Sequence, residues 1–63
     1  MKHIVFIKNL NSKEDVVAIE NVLEETRLEY LVSLHTQSVT IEGNNDDLYL
    51  GKQVLMQAGY VIQ

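Results

Sequence analysis

The sequence predicts an α+β fold with the element order βαββαβ, and two features support this prediction. Short segments rich in β-branched and aromatic residues alternate with two longer segments whose apolar residues recur every three or four positions. Three glycines and no proline leave little room for long irregular loops. This order predicts a ferredoxin-like sandwich: two helices on one face of a four-stranded antiparallel sheet, with the strand order 4-1-3-2.

The first half of the chain divides into a strand and a helix. Residues 3–8 are short and rich in β-branched and aromatic residues, which is typical of a strand. After a turn, Ser12 is suited to begin a helix, and Asp15 three residues later completes a variant of the capping box. Apolar residues at helical spacing then predict an amphipathic helix over residues 13–26.

Two further strands are predicted in the middle of the chain. Residues 28–34 alternate between side chains of different polarity, with Leu28, Tyr30 and Val32 on one side, which indicates a half-buried strand. A polar turn separates this strand from a second one at residues 39–42.

The C-terminal part of the chain predicts a helix and a last strand. Asn45 or Asp46 is expected to cap the helix, with Asp47 in its first turn. Gly59 is placed to end the helix, and residues 60–62 form the last strand. The expected buried stripe of this helix consists of Leu48, Gly51, Leu55 and Ala58.

Composition limits the functions open to this chain. Its 63 residues are expected to form a single domain over positions 1–63, and so short a chain buries only about 60% of its unfolded surface. The net charge is −4 and the five Lys and Arg residues are scattered, which disfavours nucleic-acid binding. No apolar run exceeds four residues, so we expect no membrane span and no signal peptide, and a cytoplasmic protein is the default.

Two motifs stand near the two ends of the chain. Residues 9–23 read NLNSKEDVVAIENVL, and residues 58–60 read AGY. Their order and spacing resemble the heavy-metal-associated domains of copper chaperones and of the N-terminal modules of metal-transporting ATPases. That family carries G-M-T-C-x-x-C-V-x-x-I-E-x-x-L and a closing A-G-Y. The positions that match the first motif are Val16, Ile19, Glu20 and Leu23.

The departure from this family lies in its metal-binding loop. Ser12 and Asp15 stand where the family has its two cysteines, and the chain has no cysteine at all. Soft monovalent copper is held by thiolates in that loop, and neither replacement offers sulfur. Leu10 takes the place of the packed methionine, and Tyr60 matches a family tyrosine that packs beside the loop. Tyr60 is therefore expected to pack on Leu10.

The resemblance implies a non-enzymatic domain related to metal-homeostasis proteins, with its thiolate site lost and a docking or regulatory role left. No nucleophile–base–acid set and no phosphate-binding loop is visible in the sequence. We therefore expect no enzymatic activity and no cofactor. The expected partner is another protein domain, either a metal-transporter-like domain or a second copy of the chain.

An alternative is a site for a divalent ion built from oxygen and imidazole ligands. The weak candidate ligands are Ser12, Glu14, Asp15 and His35. Helix capping alone accounts for the spacing of Ser12 and Asp15, whereas a hard cation takes about six oxygens. His35 is expected roughly 10 Å away, two strands across the sheet, and His3 at the opposite end. Capping is the favoured interpretation.

A possible interaction surface is predicted on the outward face of the sheet. If Val5 faces the helices, then Ile4 and Phe6 face outward, and Leu31 does so from the second strand. Exposed apolar patches often mark partner sites, which here include self-association. Simple β-propensity explains the same residues equally well, so both interpretations stay open.

Overall fold

The computed structural model describes every residue of the chain and has an α+β fold. The sheet is antiparallel and three-stranded in the order β1-β3-β2, with two helices packed against one of its faces. Neither helix is long and apolar enough to cross a membrane. The elements in chain order are β1 (Lys2–Phe6), α1 (Lys13–Glu24), β2 (Glu29–Ser33), β3 (Ser38–Glu42) and α2 (Asn45–Gln57).

A single apolar core lies between the sheet and the two helices. Alternate residues of a strand point to the same face, so Val39 and Ile41 of β3 meet the helices while Thr40 faces outward. The buried apolar residues form one cluster: Val5, Ile7, Leu10, Ile19, Leu23, Val39, Ile41 and Leu55. The core therefore draws on both helices, on β1 and β3, and on the loop that precedes α1.

Helix α1 ends earlier than the apolar pattern predicts. The predicted end was Thr26, but the last helical residue is Glu24. The backbone N–H of Thr26 bonds the carbonyl of Leu23 at 3.0 Å, and the Thr26 hydroxyl donates to the same carbonyl. A side chain that takes over a helix carbonyl competes with the helix ladder, so the chain leaves α1 here.

Helix α2 is capped by Asn44, so the predicted caps Asn45 and Asp46 were wrong. Gly43 has φ of 145° and turns the chain out of β3, which leaves Asn44 extended at the start of the helix. The Asn44 side chain accepts from the N–H of Asp47 at 2.9 Å, and the Asp47 carboxylate accepts from the N–H of Asn44 at 3.0 Å. These two bonds complete a capping box.

The C-terminal end of α2 follows the prediction in its backbone. Gly59 has φ of 94°, and the N–H of Tyr60 reaches back to the carbonyl of Leu55 at 3.0 Å, so Gly59 ends the helix as expected. Ala58, predicted to be part of the buried stripe, is exposed instead, because it caps the helix after its last turn.

The predicted fourth strand is not a strand in the structure. Residues 61–63 run antiparallel to the end of β1, but only Ile7 and Ile62 form a bridge. Beyond Lys8, the side-chain amide of Asn9 replaces the ladder: it accepts from the N–H of Val61 at 2.8 Å and donates to the carbonyl of Gly59 at 3.1 Å. A side chain has taken the place of a backbone partner, so the backbone pairing does not continue beyond Lys8.

Tyr30 ties β2 to α1. Its hydroxyl donates to the carboxylate of Glu24 at 2.6 Å and to the carbonyl of Glu20 at 3.3 Å. The hydrogen bond to Glu24, together with desolvation and the negative charge of both acids, raises the pKa of Tyr30 to about 12.

The contact between α2 and β3 yields a testable prediction at Gly51. A Cβ at this buried position would overlap Cδ1 of Ile41. Alanine improves helix propensity by about 1 kcal/mol, but overpacking a core costs about 1–3 kcal/mol. We expect Gly51→Ala to lower the free energy of unfolding by about 1 kcal/mol in urea denaturation.

The control for this prediction is the background Ile41→Val, which removes the overlapping Cδ1 atom. In that background Gly51→Ala should be neutral or stabilising, because only the gain in helix propensity remains. An equal loss of stability in both backgrounds would show that the two side chains do not compete for space.

Candidate functional site

The candidate site is the segment of residues 9–15, which comprises the end of the loop between β1 and α1 and the first turn of α1 up to Asp15. Leu10 anchors this loop because its side chain is fully buried in the core cluster. Tyr60 is half-buried and packs against the same cluster, so it stands beside the loop. Leu10 thus fixes the loop to the core, and Tyr60 of the C-terminal segment lies at its side.

Ser12 and Asp15 form the N-terminal cap of α1. Ser12 is the N-cap residue, and its hydroxyl oxygen accepts from the N–H of Asp15 at 3.3 Å. The Asp15 carboxylate accepts from the N–H of Asn11 at 3.0 Å and from the Ser12 hydroxyl at 3.3 Å. This is a variant of the capping box, since the acid bonds the residue before the cap.

Tyr60 adds a long-range bond to this cap. Its hydroxyl donates to the carboxylate of Asp15 at 3.3 Å, across 45 positions of the chain. The hydrogen bond from the backbone of Asn11, helped by those from Ser12 and Tyr60, lowers the pKa of Asp15 below its ordinary value despite some desolvation. Burial, then the charge of Asp15, raises the pKa of Tyr60.

Gln37 holds the loop from the opposite side, and sequence reasoning missed it. Its amide nitrogen donates to the carbonyl of Leu10 at 2.9 Å and to the side chain of Asn11 at 3.4 Å. The backbone carbonyl of Gln37 accepts from the backbone N–H of Ile7 at 2.8 Å. Gln37 has φ of 53°, a conformation that is uncommon for residues other than glycine. Because a glutamine in the sequence does not indicate such a turn, this role of Gln37 was not predicted.

The weak candidate metal ligands do not converge. Glu14 is exposed in the first turn of α1, and His35 is exposed in the turn between β2 and β3. Strand β3 separates β1 from β2, as the predicted sheet order requires. No group of three or more His, Asp and Glu residues is placed to hold a metal ion.

The other histidine has a structural role. The Nε2 atom of His3 lies 3.0 Å from the carbonyl of Gly43, at the end of the sheet where β3 leads into α2. This contact joins β1 to the turn before α2. His3 and His35 lie at opposite ends of the three-stranded sheet, because β1 and β2 run in the same direction.

The side chains of the predicted interaction surface are exposed but do not form one patch. Ile4, Phe6 and Leu31 are 61%, 48% and 69% exposed. Ile4 and Leu31 are both paired with Thr40, so this polar residue lies between them. Ile4 and Phe6 are neighbours on β1, whereas Leu31 is two strands away, roughly 10 Å. The surface therefore divides into a β1 part and a β2 part.

Comparison with known proteins defines the fold. No family model matches the sequence, and no curated protein matches it. A solved structure described as "Crosstalk between Cu(I) and Zn(II) homeostasis" superimposes on 100% of this chain and 96% of its own, with a TM-score of 0.82. The two sequences are 9% identical, so the match shows that the chains share a fold.

The lowered pKa of Asp15 gives a prediction in acid. The pKa of Asp15 is lower in the folded state than its ordinary value of 3.8, because the folded state favours the ionised carboxylate. Ionised Asp15 therefore stabilises the fold at pH values above 3.8. This stabilisation is lost as the pH falls through the lower pKa of the folded state. We expect the free energy of unfolding of Asp15→Asn, measured in urea between about pH 2 and pH 6, to fall less steeply in acid.

The matched control is Glu14→Gln, which removes the same charge from the same helical turn but touches no loop partner. Its pH profile should keep the steep acid limb of the unsubstituted chain. Identical acid limbs for Asp15→Asn and the unsubstituted chain would contradict the role of this carboxylate in the loop.

Proposed function

We propose that this chain is a non-enzymatic domain of metal homeostasis, a degenerate heavy-metal-associated-like module that docks with or regulates another protein. Its thiolate metal site is lost, and its loop now serves the structure. The shared fold with a protein of copper and zinc homeostasis supports the first part of this proposal. The chemistry of the loop supports the second part.

The observation that carries the proposal is the use of the loop's polar atoms. At the two positions where the resembling family has sulfur ligands, this chain has a hydroxyl and a carboxylate that bond each other and the start of α1. The carboxylate also accepts from Asn11 and Tyr60. A soft cation gains nothing from such oxygens, and a hard cation would have to displace these hydrogen bonds.

The C-terminal segment supports kinship with the four-stranded ferredoxin-like arrangement. Residues 61–63 lie along β1 on the side away from β3, which is where strand order 4-1-3-2 puts a fourth strand. The proposal regards this segment as a fourth strand reduced to one bridge. On this proposal, the segment around Ile62 stands in the place of the last strand of the βαββαβ order.

A titration with copper(I) in the presence of a competing chelator tests the loss of the site. We expect no uptake of copper(I) by the unsubstituted chain, because it contains no thiolate. The double variant Ser12→Cys/Asp15→Cys restores two sulfur ligands at helical spacing. We expect it to bind one copper(I) tightly, at some cost in stability from the lost cap, about 1 kcal/mol.

The single variant Ser12→Cys is the matched control, since it adds one thiol and should compete poorly with the chelator. Tight, near-stoichiometric uptake by the unsubstituted chain would overturn the proposed loss. Failure of the double variant to bind, while still folded, would contradict kinship with a metal-binding scaffold. A zinc titration that shifts only the amides of residues 12–15 and His35 would instead favour the oxygen and imidazole site.

A further inference from the structure

The outer face of the sheet carries three rows of side chains, because β1 and β2 flank β3 in matching register. The rows are Lys2, Glu42 and Glu29, then Ile4, Thr40 and Leu31, then Phe6, Ser38 and Ser33, each with its β3 member in the middle. The positions between these rows face the helices, so all three rows point outward. Strand β3 is therefore the midline of this face.

The middle row is apolar on both flanks and polar at its centre. Ile4 and Leu31 are both largely exposed, on β1 and β2 respectively. Thr40 between them is short, and an open depression of about 200 Å³ lies beside Thr40 and Leu31. A partner that covers this row must present an apolar side chain to each flanking strand.

The charged row contains two groups that form no ion pair within the chain. Glu42 is paired with the amino group of Met1 at 3.3 Å. Lys2 and Glu29 lie in the same row on either side of Glu42, but β3 separates them by roughly 10 Å. Because this distance is too long for an ion pair, the charges of Lys2 and Glu29 remain available to a partner.

We propose that two copies of the chain associate face to face through this outer surface, about a two-fold axis close to the direction of β3. This rotation places β1 of each copy over β2 of the other, because both strands flank β3. Ile4 then meets Leu31 of the second copy and Lys2 meets Glu29, each contact occurring twice. The side chains that β3 keeps apart within one chain are brought together between two chains. This inference goes beyond the proposed metal-homeostasis role and does not depend on it.

The twist of the sheets is compatible with these contacts. Sheets that pack face to face in the aligned manner keep their strand directions within about 30°. At roughly 5 Å from the midline, a rotation of about 30° displaces a residue by about 2.5 Å, which is less than the roughly 7 Å between rows. Each row therefore stays opposite its counterpart.

Charge favours this arrangement over an axis that runs across the strands. A rotation about such an axis, centred on the middle row, would also match the apolar residues with each other. It would place Lys2 over Phe6 and Glu29 over Ser33, however, because it exchanges the two outer rows. Both charges would then lose water without gaining a partner, which is unfavourable.

The association is expected to be weak. Three strands of five residues cover roughly 250 Å² per copy, whereas a standard interface buries about 800 Å² per partner. The Glu42 side chains of the two copies also meet near the axis, and like charges oppose association. We therefore expect a transient pair with a dissociation constant on the order of 1 mM.

A concentration series of the labelled, unsubstituted chain tests whether the pair forms. We expect amide NMR shifts at Ile4, Leu31 and Thr40 that change between about 0.05 and 2 mM, while the buried helix residue Leu55 stays constant. Sedimentation equilibrium over the same range should show the mean mass rising toward that of a dimer. Leu31→Ser should weaken the association at least about fivefold, because its apolar contact occurs twice.

An exchange of charges tests the arrangement of the pair. Lys2→Glu and Glu29→Lys should each associate less than the unsubstituted chain, because each places two pairs of like charges together. A mixture of the two variants turns both contacts into attractive ones. We expect the mixture to associate at least about fivefold more tightly than either variant alone.

The matched control is a mixture of Lys13→Glu and Glu20→Lys. These variants have the same net charges, but they carry the changes on exposed positions of α1, which covers the other face of the sheet. Their mixture should associate no more tightly than the unsubstituted chain. Urea denaturation of each variant at low concentration checks that it is folded.

Three results would overturn the proposal. One is an outer-face mixture that associates no more tightly than the α1 control mixture. Another is a set of concentration-dependent shifts confined to the helices. The third is the absence of association in both the unsubstituted chain and the outer-face mixture. The copper(I) titration has a separate readout, so either proposal can fail alone.

Discussion

The carboxylate of Asp15 links the loop before α1 to the rest of the protein. It accepts from the backbone of Asn11, from the hydroxyl of Ser12 and, across the chain, from the hydroxyl of Tyr60. In return, the Ser12 hydroxyl accepts from the N–H of Asp15, one of the groups that the start of a helix leaves without partners, and this reciprocal pair fixes where the helix begins. The position of α1 on the sheet, and with it the buried Ile19 and Leu23, depends on this start.

Much of the fold could be predicted because its signals are local. Helical spacing placed both helices, alternation placed β2 and β3, and Gly59 marked the end of α2 through its freedom to adopt positive φ. The cap of α2 was misplaced by one or two positions, because Asn44, Asn45 and Asp46 are all good capping residues. Only the backbone turn at Gly43 decides among them.

The parts that sequence reasoning missed depend on contacts between distant segments. The amide of Asn9 bonds the backbone on both sides of Tyr60, and that of Gln37 reaches the carbonyl of Leu10. Asparagine and glutamine are common in turns and on surfaces, so their presence in the sequence does not indicate bonds to distant segments. For the same reason the last strand was predicted too long: its residue pattern says nothing about a side chain that replaces its ladder.

The segment that follows β1 has a structural part. The side-chain amide of Gln37 donates to the backbone carbonyl of Leu10, and the hydroxyl of Tyr60 donates to the carboxylate of Asp15. These polar atoms are already used within the fold, so they are not free to serve a ligand.

Hydrogen exchange at the amide of Asn11 tests the closed loop most directly. In the unsubstituted chain this amide donates to Asp15, so we predict exchange at least about tenfold slower than in an unstructured peptide. In Asp15→Ala the protection should disappear at Asn11, while the buried helix residue Leu55 keeps its own. Exchange of Asn11 at the unprotected rate in the unsubstituted chain would contradict the account, because the loop would then be open.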